Sequence, residues 1–156
     1  MKYGFFTPIE LNKRAGPKLN YSAQCGACGL SRTCQSPKMK YKGEGRKKIL
    51  VIGEAPGKQE DKVNEQFIGR AGKRLSHELK QCNINLNQDC WKTNAIRCRP
   101  KDNKTPDTNQ INYCRPALFA EIKELKPHSI ILIGAVAAES VLGHLWKGEG
   151  KFQIGK

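Results

Sequence analysis

A Cys25-x2-Cys28 pair early in the chain is answered much later by Cys98 and Cys114, and this arrangement limits the possible folds more than any other feature. One thiol pair lies before the apolar run Ile49-Leu50-Val51-Ile52 and the other after it. If the four share one metal, distant segments are tied together. Two pairs of thiolates suit zinc or a four-iron cluster, and the spacing does not separate them. The competing reading is that some of the thiols are small buried hydrophobes, the common fate of a free cysteine. Cys82 and Cys90, outside any pair, are expected to be of that kind. Cys34 is an alternative member of the quartet.

The apolar runs supply the framework. Lys48 to Ile52 reads as a short buried strand, followed by the turn Gly53-Glu54-Ala55-Pro56-Gly57. A helix is expected over about Ala71–Cys82, with Leu75 and Leu79 on one face. A second strand is expected at Trp91–Ile96. A longer helix should begin near Thr105-Pro106-Asp107, with Thr105 as cap and Pro106 in the first turn, and stop at Pro127. Pro116 inside it predicts a kink or a break. Ser129–Ile133 reads as a third buried strand, and Ala135–Leu142 as a short helix. Such alternation predicts an α/β/α sandwich on a mostly parallel sheet. Ligands in such sheets gather at the carboxyl ends of the strands, where Gly53, Arg97 and Gly134 fall. Residues 1–24 read as an irregular lead-in, and residues 35–47 as a basic loop.

At 156 residues the chain has the size of one domain. No run is long enough to span a membrane, and the first residues lack a secretory pattern. A reducing cytoplasmic setting is the default, so the seven cysteines read as ligands or free thiols rather than a disulfide framework. Twenty-eight Lys and Arg against fourteen acids give a net charge of +14. That favours a polyanionic partner, nucleic acid above all, over a merely solubilising surface.

The strand-end turn is not a Walker loop, because the Gly-Lys-Ser/Thr ending is absent. Taken alone, Glu54 there is equally well an ordinary surface acid. However, Gly53-Glu54-Ala55-Pro56-Gly57, Glu60-Asp61 and Gln66-Phe67-Ile68-Gly69-Arg70-Ala71-Gly72 together closely resemble the first motif block of family 4 uracil-DNA glycosylases. Thr93-Asn94-Ala95-Ile96-Arg97-Cys98-Arg99-Pro100 resembles the second block. Thr105-Pro106 through Cys114-Arg115-Pro116 also fits. The resemblance covers about residues 20–145.

The resemblance implies a glycosylase-type fold with a [4Fe–4S] cluster on Cys25, Cys28, Cys98 and Cys114, zinc being the alternative. The cluster would serve structure rather than redox chemistry. It also implies excision of uracil from DNA, with the base flipped into a pocket. Glu54 takes the place of the catalytic carboxylate. Phe67 takes that of the stacking aromatic, and Asn94 that of the amide reading the uracil edge. Ala55 and Gly57 would approach the uracil carbonyls, and Glu60 would wall the C5 side. Arg70, Lys73, Arg74, Arg97, Arg99 and Lys101 are candidate phosphate contacts. The expected state is a monomer, or the first part of a longer replication polypeptide that binds DNA without cleaving it.

Two departures stand out. The family pattern places Pro before the Phe, where this chain has Gln66, a change expected at the pocket rim. The family also ends on a His-Pro-Ser-type segment after a fourth strand. This chain reaches Lys156 before that segment, so the single domain over 1–156 is expected to be incomplete at its C-terminus. Loss of such an electrostatic donor typically costs about two to three orders of magnitude in rate. His77, His128 and His144 are expected to be structural or exposed.

Overall fold

The computed structural model describes residues 23–143. Its centre is a parallel three-stranded sheet built from β1 (Ile49–Gly53), β2 (Cys90–Asn94) and β3 (Ser129–Leu132), with β1 in the middle. Side chains alternate across β1, so its faces bury different residues. Leu50 and Ile52 pack with Leu118, Ala137 and Val141 on one face. Val51 packs with Leu79, Leu86 and Cys90 on the other. Helices therefore cover both faces, as the alternation predicts.

The helices, in order, are α1 (Cys25–Cys28), α2 (Lys58–Val63), α3 (Arg70–Gln81), α4 (Thr108–Leu125) and α5 (Ala135–Ala138). A π turn over Glu139–Gly143 follows α5, where one continuous helix is expected. Arg115 donates from Nε to the Ser140 carbonyl at 2.8 Å, tying that turn to α4. α1 and α2 are too short to leave a periodic signal, and the sequence reading assigns neither.

Several features differ from expectation. β3 is not buried: it lies at the edge of the described sheet, with Ser129 and Ile130 exposed and Ile131 and Leu132 half-buried. β1 starts at Ile49, because Lys48 adopts φ 52°, a left-handed conformation outside the extended range. β2 ends at Asn94. Beyond it the Ala95 and Ile96 amides still donate to the Gly53 and Glu54 carbonyls, at 2.8 and 3.0 Å. The cap of α4 is Asp107, not Thr105. Its carboxylate accepts from the Gln110 amide at 2.8 Å, and the Gln110 side chain accepts from the Asp107 amide at 3.1 Å. This reciprocal pair satisfies two end groups together, which a lone Thr hydroxyl does not. Nor does Pro116 break the helix, which runs unbroken through it. The ring leaves one carbonyl without its helical donor, while Ala117, Leu118 and Glu121 beyond it are buried and hold the helix to the sheet.

Glu121 anchors a polar knot beneath β2. It is 5% exposed and accepts from the Thr93 hydroxyl at 2.7 Å and from the Tyr41 amide at 3.3 Å. Arg97 Nε lies 3.7 Å away. Burial raises the Glu121 carboxyl above the usual range, against the lowering effect of the Thr93 hydrogen bond and Arg97.

Candidate active site

The turn after β1 and the end of β2 lie side by side because Gly53 pairs with Asn94 in the sheet register. Gly53 has no side chain, and two groups use the space. A Cβ there would lie 2.5 Å from Asn94 Oδ1 and 2.8 Å from Phe67 Cζ. The amide that would read a base and the ring that would stack on it thus converge on one glycine at the carboxyl edge of the sheet.

Phe67 reaches this position through a backbone with φ 57°. That region is costly for a bulky residue, and such strain gathers at functional sites. Gly72 makes the conformation possible, since a Cβ on it would collide with the Phe67 carbonyl.

Glu54 follows Gly53 and is half-buried. Its main-chain carbonyl is held by the Ile96 amide. Among the described residues its carboxylate has no hydrogen-bond or ion-pair partner, which suits a group that must meet water or a developing cation. Ala55 packs against the core of Leu30, Ile96 and Cys98, joining the strand-end loop to the thiol-bearing segments. A Cβ on Gly57 would stand 2.7 Å from Glu60 Oε2.

Glu60 has a structural task. Its Oε1 accepts from the Ile68 amide at 3.0 Å and the Gly69 amide at 2.7 Å. Gly69 caps α3, so a carboxylate sits at the positive end of that helix. Neighbouring Asp61 is buried. It accepts from the Ser36 amide at 2.8 Å and the Gln35 amide at 3.2 Å, pinning the 35–47 loop. Both acids of the Glu60-Asp61 motif therefore brace loops.

The six basic candidates divide into two groups. Arg70, Lys73, Arg74 and Lys101 are exposed, although Arg74 also pairs with Glu78 at 2.8 Å. Arg97 is turned inward. It donates from Nε to the Met39 carbonyl at 2.9 Å and from Nη2 to the Lys38 carbonyl at 3.0 Å. Arg99 donates to Asn103 Oδ1 at 2.7 Å. Burial and hydrogen bonding, not visible from spacing, give these two arginines internal duties.

Cys25, Cys28, Cys98 and Cys114 all line one cavity of about 800 Å3. The Lys38 amide donates to Cys98 Sγ at 3.2 Å and the Arg97 amide to Cys114 Sγ at 3.4 Å. Burial pushes the Cys98 thiol up to about 11 and the Cys114 thiol up to about 12. Burial thus favours the protonated thiols, whereas binding a metal requires the thiolates. Among the described residues, no three side chains already stand at the spacing that holds a metal ion. Cys34 packs in the same core without lining the cavity. Cys90 is buried in the sheet and Cys82 is exposed. His77 and His128 are exposed, and His144 lies outside the described residues.

The residue that spacing misjudges is Gln66. It is not at a rim but fully buried. Its Oε1 accepts from Asn94 Nδ2 at 2.6 Å, and its Nε2 donates to the Lys40 carbonyl at 3.2 Å. Lys92, also buried on β2, donates to the Gln66 carbonyl at 3.3 Å.

The chain is 35% identical over 121 residues to a type-4 uracil-DNA glycosylase of Pyrobaculum aerophilum, an alignment covering 72% of this chain and 61% of that one. It is 38% identical over 111 residues to a type-4 uracil-DNA glycosylase of Saccharolobus solfataricus, covering 66% of this chain and 51% of that one. A DNA polymerase of Bacillus phage SP01 is 28% identical over 121 residues, which is 70% of this chain but 13% of the polymerase. The chain thus spans between half and two thirds of the length of the two glycosylases. Residues 40–155 match the uracil DNA glycosylase superfamily, and the chain, with its parallel sheet and strand-end motif, belongs to that superfamily.

Proposed function

We propose that this chain takes a uracil flipped out of DNA and hydrolyses its bond to deoxyribose, a reading supported by its similarity to proteins named type-4 uracil-DNA glycosylase. The observation that carries this reading is the convergence of Asn94 Oδ1 and the Phe67 ring on Gly53. Phe67 stacks on the extruded base. Asn94 accepts the uracil N3–H at Oδ1 and donates from Nδ2 to O4. Cytosine offers the reverse pattern, an acceptor at N3 and a donor at N4, and is refused. Glu54, without a protein partner among the described residues, directs water to the sugar carbon and stabilises the cationic sugar that forms as uracil leaves. DNA approaches across Arg70, Lys73, Arg74 and Lys101.

Cys25, Cys28, Cys98 and Cys114 fit a [4Fe–4S] cluster by their donor set and by the cavity they share. When bound, the cluster would fasten α1 to α4 and take no part in bond cleavage. Zinc would leave the protein colourless, whereas the cluster gives visible sulfur-to-iron absorbance. No described helix is long and apolar enough to cross a membrane.

The test is release of free uracil from a single-stranded oligonucleotide carrying one deoxyuridine. Release by the wild-type chain, and its loss in Glu54→Gln, is expected. If stoichiometric protein binds the DNA and releases nothing, the hydrolytic reading fails. A non-catalytic DNA-binding role within a longer replication polypeptide then takes its place.

A further inference from the structure

The geometry points to Gln66 as the residue that sets which base the pocket accepts, by fixing the direction of the Asn94 amide. This inference rests on the uracil reading above and adds to it a positioning residue that does not touch substrate.

The argument starts from a group whose polarity is not open to choice. The Lys40 carbonyl can only accept a hydrogen bond. The end of the Gln66 side chain lying 3.2 Å from it is therefore the NH2 group. The other end, the carbonyl Oε1, then faces Asn94 at 2.6 Å. An acceptor there requires a donor opposite, so Asn94 presents Nδ2 to Gln66. By elimination, Asn94 Oδ1 points to the free side, over Gly53 and beside the Phe67 ring. A one-way relay thus runs from a main-chain carbonyl through two amides to the substrate-facing atom.

Orientation matters because an unrestrained carboxamide can rotate by half a turn at little cost, exchanging its donor and acceptor. In one direction it complements uracil, and in the other cytosine. The Gln66 carboxamide is held against such rotation at both ends, by the Lys40 carbonyl and by Asn94. Its main chain is fixed as well: the Glu65 carboxylate accepts from the main-chain amide at 3.1 Å, and Lys92 donates to the main-chain carbonyl at 3.3 Å. Full burial excludes water that would otherwise replace a broken bond. Reversing Asn94 would set its Oδ1 against Gln66 Oε1, two C=O groups face to face in a dry site, an outcome buried polar groups avoid. One of the two Nδ2 hydrogens is used by Gln66, and the second remains for uracil O4.

The experiment compares wild type at position 66, Gln66→Met and Gln66→Glu. Each is made in the Glu54→Gln background, so that bound uracil is not released, and is tested for equilibrium binding to single-stranded oligonucleotides that differ only in one uracil or one cytosine, at fixed salt. Wild type is expected to prefer uracil. Gln66→Met keeps the volume but removes the acceptor, so the preference should fall about ten-fold, the worth of one ordinary hydrogen bond. Affinity for DNA lacking uracil should hold. Gln66→Glu still offers Asn94 an acceptor, protonated or not, and should retain the preference. In an Asn94→Ala background, Gln66→Met should change nothing further, which separates action through Asn94 from general damage to the fold. Full preference in Gln66→Met, or its loss in folded Gln66→Glu, overturns the proposal while leaving the uracil reading intact. Should Gln66→Met fail to fold, the Gln66→Glu result decides. If wild type shows no preference, the uracil reading itself falls, and this inference with it.

Discussion

Gly72 lies so close beneath the Phe67 carbonyl that α3 can begin where it does only because residue 72 has no side chain. The same contact holds Phe67 in its left-handed conformation. Gly72→Ala gains helix propensity on α3 but must push the Phe67 segment away. Overpacking of this kind costs about 1–3 kcal/mol, more than the propensity returns. Urea unfolding should show a net loss of stability, and DNA carrying uracil should bind more weakly. A stabilised Gly72→Ala protein would show that the contact is easily relieved.

Phe67→Ala and Glu54→Gln should separate capture from cleavage. Losing the aromatic face should weaken binding of uracil-containing DNA by roughly 1–3 kcal/mol. Glu54→Gln keeps the shape and removes the charge, so binding should survive while uracil release disappears. Titration with labelled oligonucleotide, beside a release assay, distinguishes the two. Equal loss of binding in both variants would argue against the division of labour.

Salt should govern affinity. With a net charge of +14 and several exposed cations beside α3, DNA binding should fall steeply as salt rises, because phosphate contacts release counterions. Lys73→Ala should reduce the slope of log affinity against log salt by about one. Arg97→Ala should instead lower stability, since its guanidinium serves the Lys38 and Met39 carbonyls. An unchanged slope in Lys73→Ala would remove that residue from the DNA-facing set.

Metal content gives an independent reading of the thiols. Cys25→Ala, Cys28→Ala, Cys98→Ala and Cys114→Ala should each lose the bound metal and much of the fold's tolerance to heat. Cys82→Ala, at an exposed position, should keep the metal in full. Iron, sulfide and zinc analysis of the purified variants decides this. Loss of metal in Cys82→Ala would mean the quartet is wrongly drawn.

Burial raises the Glu121 carboxyl, so the folded state holds that proton more tightly than the unfolded chain does. Its contribution to stability is therefore fully present at acid pH. The contribution declines as pH rises past about 4.3, the usual glutamate value, until the folded group itself ionises. Measured against Glu121→Gln, which carries no such proton, wild type should lose relative stability across that window. Unfolding midpoints in urea from pH 4 upward would reveal it. A difference that grows in favour of wild type with rising pH would mean that Arg97 and Thr93 outweigh desolvation.

The architecture was legible because β1 and β3 are continuous apolar runs and α3 carries Leu75 and Leu79 on one face. The spacing of Cys25, Cys28, Cys98 and Cys114 singled out four thiols that line one cavity. The α4 cap was legible in principle, since Gln110 follows Asp107 at capping-box distance, but Thr105 offered a competing signal. Gln66 was not legible. Its partner lies 28 residues away on another element, and only the folded arrangement turns an apparent rim residue into a buried link. Arg97 was misread for the same reason, as its acceptors lie about sixty residues upstream.

Because Gly53 is paired with Asn94, the β1–β2 ladder carries information as well as cohesion. Successive residues of β2 serve opposite faces: Lys92 and Asn94 grip Gln66, while Thr93 between them holds Glu121. A slip of one residue would turn the threonine toward the base and drive the amide into the core. On the uracil reading proposed above, fidelity toward a nucleobase would be written into the alignment of two strands, and an error in pairing them while the chain folds would become an error in reading DNA.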